Sequence, residues 1–275
     1  MGHGPHEATA RRLGLVPVPS PASELPVVIL CGGRGTRLGA GQTLPKPLVE
    51  VGGRPIVEHV VAIYAAQGQR RFHLAAGYKA DLLGQAVAAI AWPAGVEVRC
   101  HDTGLDTETG GRVLALRDAL DGEPFHLTYA DGVADVDLGA LEADHAAAGA
   151  TATVTVVRPE LQFGVVDLED DGRISGFREK PRSSHWINGG FMRAEPALLD
   201  VLTPDAVLER EPLERLSAAG TLHGYRHEGF WACMDTYKDA RRLNELWESG
   251  EAPWSGPAVP ALAVVDRPAT GAPRP

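Results

Sequence analysis

The sequence predicts an α/β fold with a doubly wound, mostly parallel sheet that carries helices on both faces. Between residues 27 and 132, short apolar runs alternate with longer amphipathic ones, which is the pattern of βαβ units. The first apolar run ends in a glycine turn, the place where open α/β sheets bind ligands. Beyond residue 150 the runs become short and strand-like, so a small β-rich extension with a mixed sheet is expected.

The parallel half begins with VVILCGG (27–33), which predicts a buried strand running into the glycine turn. Pro55 stands at a favourable first helical position, and apolar residues recur at helical spacing from Ile56 to Gly68. The alternation continues with strand 71–77, helix 81–91, strand 96–102, helix 112–120 and strand 125–132. This order of elements is typical of a doubly wound sheet.

The second half of the chain contains a different series of segments. Asp171-Gly172 is a strong hairpin signal between two strand-like runs. The strand-like segments in this half are 151–157, 163–168, 173–180 and 189–194. Together they predict the β-rich extension.

The ends of the chain differ in composition from its centre. Residues 1–25 and 255–275 are rich in Pro, Ala and Gly and lack a sustained apolar period, so they are predicted to be flexible arms. One folded domain is expected over residues 26–254, with its two halves divided at about residue 150.

Composition excludes several classes of function. The chain has 275 residues and contains no run of about 18 apolar residues and no basic-then-apolar start, so a cytoplasmic protein without a membrane segment is expected. A net charge of −10 argues against nucleic acid as a partner. Cys31, Cys100 and Cys233 show no C-x-x-C spacing, which argues against a disulfide framework and a zinc site.

The loop CGGRGTRL (31–38) is the first candidate for ligand binding. Its glycines allow close approach of the backbone, and its arginines and threonine add donors and positive charge that suit a triphosphate. A dinucleotide-binding fold would need a third glycine where Leu38 stands, and no GKS or GKT closes a P-loop. A tight turn between strand and helix remains an alternative for this loop.

Lys46 is the second candidate. It lies between Pro45 and Pro47, which stiffen the segment and limit where its ammonium can go. A lysine held in this way can neutralise charge on a transferring phosphoryl group.

GGRGTRL followed by PKPLVEVGGRPI resembles the signature region of the sugar-1-phosphate nucleotidyltransferases, the sugar-nucleotide pyrophosphorylases. The later segments are similar, in order, to the glucose-1-phosphate cytidylyltransferases. These segments are DTGLDTETGGR (102–112), TYADGVADVD (128–137), FGVVDL (163–168), FREKP (177–181), INGGF (187–191), EGFWACMDT (228–236) and LWESGEAPW (246–254). The resemblance implies a Rossmann-like fold of the nucleotide-diphospho-sugar transferase type, with a nucleotide-binding half at about 26–150 and a sugar-binding half at about 151–254. It also implies transfer of a nucleotidyl group, from CTP in the cytidylyl branch, to α-D-glucose 1-phosphate.

The resemblance also implies roles for particular residues. The triphosphate loop would consist of Gly32, Gly33, Gly35, Thr36 and Arg37. Lys46 would lie beside the α-phosphate and, with Arg37 and Asp131, would act in catalysis, while Gly110 and Gly111 would lie against the nucleobase and ribose. Magnesium would be held by Asp131 and Asp235, and the sugar phosphate would be bound by Tyr129, Glu179, Lys180, Asn188 and Gly189.

Several of these residues have a simpler structural explanation. Asp131 precedes Gly132 and suits a turn, and Asp235 precedes Thr236 and suits a helix cap. Glu179-Lys180 suits a solvated hairpin end, and Trp231 suits a core. The histidines at 59, 73, 101, 126 and 145 lack metal-ligand spacing.

The partners implied are a nucleoside triphosphate, a sugar 1-phosphate and further copies of the chain in a homo-oligomer. Two stretches, between Leu38 and Lys46 and between Ala91 and Asp102, are shorter than is typical of cytidylyltransferases. Three hypotheses follow: glucose-1-phosphate cytidylyl transfer, the same chemistry on another base or another sugar or cyclitol phosphate, and an inactive sugar-nucleotide-binding subunit. The presence of Arg37, Lys46, Asp131 and Asp235 disfavours the last.

Overall fold

A computed structural model describes residues 24–33 and 44–255 of the protein. The strands among these residues are β1 (Val27–Cys31), β2 (Glu50–Val51), β3 (Arg54–Pro55), β4 (Arg71–Ala76), β5 (Glu97–Asp102), β6 (Phe125–Tyr129), β7 (Gly132–Ala134), β8 (Ala152–Val157), β9 (Val165–Leu168), β10 (Ile174–Arg178), β11 (Ile187–Ala194), β12 (Leu222–Arg226) and β13 (Trp231–Cys233). The predicted arms 1–25 and 255–275 lie outside the described residues, except for Glu24, Leu25 and Ser255.

The helices cover both faces of the central sheet. They are α1 (Ile56–Ala65), α2 (Ala80–Ala88), α3 (Thr109–Leu114), α4 (Arg117–Leu120), α5 (Leu138–Ala148), α6 (Glu211–Ala218) and α7 (Tyr237–Glu248). No helix in the described part of the chain combines the length and the apolar character needed to cross a bilayer.

The central sheet has seven strands in the order β12-β8-β11-β6-β1-β4-β5. β1 pairs in parallel with β4 and β6, and β4 pairs in parallel with β5. β11 runs antiparallel to both of its neighbours, β6 and β8. The predicted mostly parallel, mixed sheet is therefore confirmed.

Two cores lie on opposite faces of this sheet, and β1 contributes to both. Val27 and Ile29 pack in the core that includes α1, α2, α5 and α7. Val28 and Leu30 pack in the core that includes α3, α4 and α6. Because both faces of the strand are covered, all five of its residues are buried, which explains the continuous apolar run VVILC.

The β-rich extension differs in detail from the prediction. β8, β11 and β12 join the central sheet, while β9 and β10 form a separate antiparallel hairpin. This hairpin and the loop before it expose several large apolar side chains: Phe163, Val166, Leu168, Ile174 and Phe177. Its turn carries Gly172 at φ 86°, in agreement with the predicted Asp-Gly turn.

Three predicted helices have different bounds in the structure, and the one predicted at 81–91 is α2 (Ala80–Ala88). Helix α1 begins at Ile56, with Pro55 one position before it, and ends at Ala65. The predicted helix 112–120 is divided into α3 and α4, because Leu116 leaves the helical conformation with its side chain buried. α3 starts earlier, at Thr109, because the carbonyl of Ala206 accepts hydrogen bonds from the first amides of the helix, a contact between distant segments that local sequence does not specify.

A bulge in β11 brings the strand close to the candidate site. The pairing with β8 shifts register between Asn188 and Met192, and Phe191 adopts φ 46°, which is rare for a bulky residue. The Phe191 ring is fully buried and stacks on Tyr64, with ring centroids 5.7 Å apart. Its carbonyl accepts a hydrogen bond of 2.7 Å from Thr155 Oγ1. These contacts hold a backbone conformation that would otherwise be unfavourable.

We expect Phe191→Ala to lower the free energy of unfolding by about 3–5 kcal/mol, because it leaves a cavity against Tyr64 while keeping the unfavourable φ. Urea unfolding followed by circular dichroism measures the change. Phe163→Ala is the matched control, since that ring is 80% exposed, and a midpoint close to wild type is expected. Equal midpoints for the two variants would show that the bulge does not depend on the buried ring.

Candidate active site

The candidate site lies where the strand order of the sheet reverses, between β1 and its neighbours β4 and β6. β1 leads directly into Gly32 and Gly33, and β6 leads into Asp131. The two strands are parallel, so their carboxyl ends meet at the same edge of the sheet. Open α/β sheets bind ligands in the crevice at such an edge.

Lys46 occupies the centre of the site. It begins a 3-10 turn over Lys46–Leu48, with Pro45 before it and the buried Pro47 after it. Its ammonium lies between two carboxylates, donating a short hydrogen bond to Asp131 and one of 2.7 Å to Asp235 Oδ1. The segment predicted to fix this lysine therefore places it at the strand ends.

The charge of Lys46 is stabilised by its neighbours. The side chain is 15% exposed, and burial alone lowers the pKa of its ammonium. Attraction to Asp131, together with the hydrogen bonds to Asp131 and Asp235, outweighs burial and raises the pKa above its ordinary value. Lys46 is thus a permanent cation at neutral pH.

The two aspartates are brought together by backbone pairing. β7, which follows Asp131, pairs antiparallel with β13, which precedes Asp235. The amide of Met234 also donates a hydrogen bond of 2.9 Å to the carbonyl of Asp131. Two residues far apart in sequence consequently face the same ammonium.

The capping alternative for Asp235 is wrong. Thr236 is the N-cap of α7, and it forms a capping box with Asp239: the Asp239 amide donates to Thr236 Oγ1, and the Thr236 amide donates to Asp239 Oδ2. Asp235 stands one residue before the cap, and its carboxylate accepts from Lys46.

A small cavity of about 350 Å³ adjoins the aspartates. Its wall contains three of the predicted sugar-binding residues, Tyr129, Asn188 and Gly189, together with Asp131 and Asp235. Trp231 also lines it, and its indole N–H donates a hydrogen bond of 2.7 Å to the carbonyl of Gly189. The tryptophan therefore fixes the backbone of the segment predicted to close over a sugar.

A wider cavity of about 820 Å³ meets the small one, and the two share Trp231, Cys233 and Asp235 in their walls. The basic residues lining the wider cavity are Arg158, Lys180, Arg182, Lys238 and Arg242. Lys180 is half exposed and adopts φ 43°. The carboxylate of Glu179 lies 3.5 Å from the ammonium of Lys180. The structure therefore places Lys180 on the side of Asp235 and away from Tyr129 and Asn188.

Gly32 and Gly33 differ in their surroundings. A Cβ at Gly32 would overlap the guanidinium of Arg112, whereas a Cβ at Gly33 would meet no atom of the described residues within 4 Å. Arg112 is buried and donates to the carbonyls of Ala76 and Gly104 at 2.9 and 2.7 Å. Gly32 thus makes room for a buried arginine of the protein itself. The predicted loop residues Gly35, Thr36 and Arg37 lie outside the described residues.

Gly110 and Gly111 pack against the chain at 204–206. A Cβ at Gly110 would lie 2.8 Å from the carbonyl oxygen of Ala206, and one at Gly111 would overlap the carbonyl oxygen of Pro204. In this structure, the chain at 204–206 therefore occupies the space that the missing side chains of the two glycines leave.

Comparison with known proteins identifies the family of this arrangement. The family model for nucleotidyl transferases matches residues 26–217, more than half of the chain. The chain belongs to the nucleotidyl transferase family. It is 38% identical over 249 residues to a probable glucose-1-phosphate cytidylyltransferase of Bacillus subtilis, covering 82% of this chain and 98% of the relative. It is also 38% identical over 251 residues to the glucose-1-phosphate cytidylyltransferase of Salmonella typhi, covering 82% and 97% respectively.

The fold of this nucleotidyl transferase is shared with solved structures. HddC of Yersinia pseudotuberculosis superposes with a TM-score of 0.64 at 20% sequence identity, covering 81% of this chain and 99% of HddC. The predicted fold class and family are confirmed.

Three residues of this nucleotidyl transferase site were not predicted. Arg112 follows the two glycines of TGGR and was not separated from them, and Trp231 was assigned to a core. Glu209 lines the small cavity but lies in a loop before α6, where the local sequence gives no signal of a site. All three acquire their positions through contacts with distant segments, which local patterns do not reveal.

The arrangement suits nucleotidyl transfer without a covalent enzyme intermediate. Lys46 can neutralise a phosphoryl group, and the two aspartates offer hard oxygen ligands at the same place. The thiol of Cys233 lies beside the aspartates in the walls of both cavities. Burial raises its pKa, and Asp131 and Asp235 raise it further. This environment opposes formation of the reactive thiolate.

Proposed function

We propose that this nucleotidyltransferase transfers the cytidylyl group of CTP to α-D-glucose 1-phosphate, giving CDP-glucose and pyrophosphate. The observation that carries the proposal is the placement of Lys46 between Asp131 and Asp235, beside a cavity of about 350 Å³. A cavity of this size is at the lower end of small-molecule sites and suits one hexose. The choice of cytosine and glucose follows the names of the two relatives that share 38% identity with most of the chain.

The hexose is proposed to bind in the small cavity and to extend its phosphate toward the wider one. Tyr129, Asn188 and Gly189 line the first, and Lys180 lines the second. Asp235 lies at the junction of the two cavities, where Lys46 also reaches. This path places the sugar phosphate beside the cation expected to face the α-phosphate. Glu179 is proposed to turn from Lys180 toward the sugar hydroxyls.

The nucleotide is proposed to bind along the ends of β1 and α3. Gly33 is exposed, and within residues 24–33 and 44–255 no atom lies within 4 Å of the position that its Cβ would take, which supports close approach of a phosphate. Gly32, Gly35, Thr36 and Arg37 complete the predicted triphosphate loop. Gly110 and Gly111 are proposed to approach the base and ribose with the part of the backbone that does not face residues 204–206.

Magnesium is proposed to bind between Asp131 and Asp235. The structure supports the fit because the space between the two carboxylates already holds a cation, the ammonium of Lys46. Cys233 Sγ lies within 4.8 Å of ligand atoms of both aspartates, but thiol sulfur is a soft ligand that magnesium does not favour. When bound, the ion would neutralise the phosphates and stabilise the charge of the leaving pyrophosphate.

The reaction is a single in-line displacement at the α-phosphorus. A phosphate oxygen of the sugar 1-phosphate forms a new bond to this phosphorus, while the bond from the α-phosphorus to the oxygen bridging to the β-phosphate breaks. Pyrophosphate leaves with that electron pair. The attacking oxygen is already ionised at neutral pH, so the chain needs no general base. Lys46, Lys180 and Arg37 are proposed to lower the repulsion between the two anions.

Substrate choice is tested with the purified protein, four nucleoside triphosphates and a set of sugar 1-phosphates, with pyrophosphate release as the readout. We expect the highest kcat/KM for CTP with glucose 1-phosphate. A higher value for another pair would retain the chemistry and replace the proposed substrates. Absence of turnover with every pair would favour the inactive regulatory subunit.

We expect Asp131→Asn and Asp235→Asn each to lower kcat by roughly 10²-fold or more, because each removes a charged ligand facing the phosphates. Each should also raise the magnesium concentration needed for half-maximal activity. Magnesium titration of the initial rate measures both changes.

Asp239→Asn is the matched control for these variants. Asp239 lines the wider cavity like Asp235, but its carboxylate completes the capping box of α7. The Asp239→Asn substitution should therefore lower the melting temperature without changing the magnesium concentration needed for half-maximal activity. A titration of Asp235→Asn that overlays wild type would remove Asp235 from the metal site.

Lys46→Met should tighten the binding of a divalent ion to the nucleotide-free protein by about 10-fold or more, because the ammonium competes for the same two carboxylates. The same variant should lose roughly 10²-fold in kcat, since the charge beside the transferring phosphoryl group is gone. Calorimetry with Mg²⁺, or electron paramagnetic resonance with Mn²⁺, measures binding without turnover.

Lys238→Met is the control for this experiment. Lys238 lines the wider cavity, and its ammonium donates a hydrogen bond of 3.5 Å to Gln162 Oε1. The substitution therefore removes one positive charge without removing the hydrogen bonds that Lys46 donates to Asp131 and Asp235. Ion affinity close to wild type is expected. If Lys46→Met and Lys238→Met tighten ion binding equally, the effect is one of net charge and Lys46 does not compete with the metal.

A further inference from the structure

Glu209 connects the predicted nucleotide side of the site to the predicted sugar side. Its Oε1 accepts a hydrogen bond of 2.5 Å from the hydroxyl of Tyr129, at the end of β6. Its Oε2 accepts one of 2.6 Å from Thr109 Oγ1, at the start of α3. Both carboxylate oxygens are therefore engaged, one on each side, although the residue itself is exposed at the rim of the small cavity.

We infer that Glu209 is a positioning residue that orients the hydroxyl of Tyr129 so that its oxygen accepts a hydrogen bond from a hydroxyl group of the sugar. This inference rests on the proposed function of the small cavity as the sugar site. It assigns to Glu209 an effect on sugar binding that passes through Tyr129.

The direction of the hydrogen bonds follows from the chemistry of the groups. A carboxylate only accepts, so the single proton of the Tyr129 hydroxyl is donated to Glu209. The side-chain amide of Asn188 donates to the same hydroxyl oxygen at 3.3 Å, while its own oxygen accepts from the amide of Gly190 at 2.8 Å. Tyr129 thus has no proton left to offer a ligand, and its oxygen can only accept.

This polarity selects the kind of group that can bind at this wall. Tyr129 and Glu209 both line the cavity, and both present acceptor oxygens. A sugar hydroxyl can donate to them, whereas a phosphate or carboxylate would face acceptors and negative charge. The wall therefore suits the uncharged hydroxyl-bearing part of a sugar phosphate and directs its phosphate to the opposite end.

Glu209 is held in this position without a ligand. The amide of Leu208 donates to Thr109 Oγ1 at 2.9 Å, and the amide of Gly110 donates to the carbonyl of Ala206 at 2.9 Å. The segment before Glu209 is thereby tied to the first turn of α3.

The test is a double-mutant cycle on Glu209→Gln and Tyr129→Phe, with steady-state kinetics for each substrate. A glutamine side chain can donate a hydrogen bond as well as accept one. In the Glu209→Gln variant, the Tyr129 hydroxyl therefore need not donate its proton to residue 209. We expect the KM for glucose 1-phosphate to rise roughly 10-fold in each single variant, since one hydrogen bond to the sugar is lost. The KM for CTP should stay within about 2-fold of the wild-type value, because neither substitution removes a contact with the nucleotide.

The double variant distinguishes action through Tyr129 from independent action. If Glu209 works through Tyr129, Glu209→Gln has no further effect on the KM for glucose 1-phosphate in the Tyr129→Phe protein. Additive effects would overturn the inference. Tyr129→Phe with an unchanged KM for the sugar phosphate would also overturn it, whether or not Glu209→Gln folds.

Thr109→Val tests the other possible role of Glu209, which is to support α3. If support of α3 were its function, Thr109→Val and Glu209→Gln would both raise the KM for CTP, and the inference would be rejected. Wild-type turnover of CTP with glucose 1-phosphate is measured first. Its absence would reject the proposed function, whereas its presence with silent Glu209→Gln and Tyr129→Phe variants would reject only the role of Glu209.

Discussion

The ammonium of Lys46 is the contact on which the rest of the site depends, because it joins three segments that are distant in sequence. Asp131 is 85 residues from Lys46, and Asp235 is 189 residues from it. Two carboxylates this close would repel each other without a cation, and a largely buried ammonium would be unfavourable without partners. The ammonium and the two carboxylates therefore neutralise one another. Their contacts hold the start of the 3-10 turn and the ends of β6 and β13 together before any substrate binds.

Charges in the wider cavity are balanced within the protein, as they are around Lys46. The wider cavity carries several basic side chains, but carboxylates partner four of them: Glu228 lies near both Arg158 and Arg182, Glu179 near Lys180, and Glu160 near Arg242. A bound phosphate would compete with these carboxylates, just as a divalent ion would compete with Lys46. In the proposed site, Asp131 and Asp235 would hold the ion, and the ammonium of Lys46 would face the phosphates.

The sequence was sufficient for the fold and for the residues at strand ends. Asp131 could be predicted because, like the glycine turn after β1, it follows a buried strand. Lys46 could be predicted because the two flanking prolines restrict the positions that its ammonium can reach. Asp235 could not be separated from a helix cap until the capping box of Thr236 and Asp239 was visible. Glu209 and Arg112 depend on pairings between distant segments, for which a single sequence has no periodic signal. The expected homo-oligomer, the cytoplasmic location and the division into two functional halves remain predictions, because contacts within one chain do not determine them.

The glycines of TGGR illustrate how one pattern can serve the ligand and the fold at once. Residues 204–206 pack closely against α3 at Gly110 and Gly111, where a side chain would not fit. The next residue, Arg112, contacts Gly32 in the turn after β1 and donates a hydrogen bond to the carbonyl of Gly104. α3 is therefore tied on one side to the turn after β1 and on the other to the segment that presents Glu209. Thr109 forms the contact of α3 with Glu209, and Arg112 forms its contact with the glycine turn. The two substrates of the proposed reaction would consequently meet a single connected framework, which favours alignment of the attacking oxygen with the α-phosphorus over independent optimisation of either pocket.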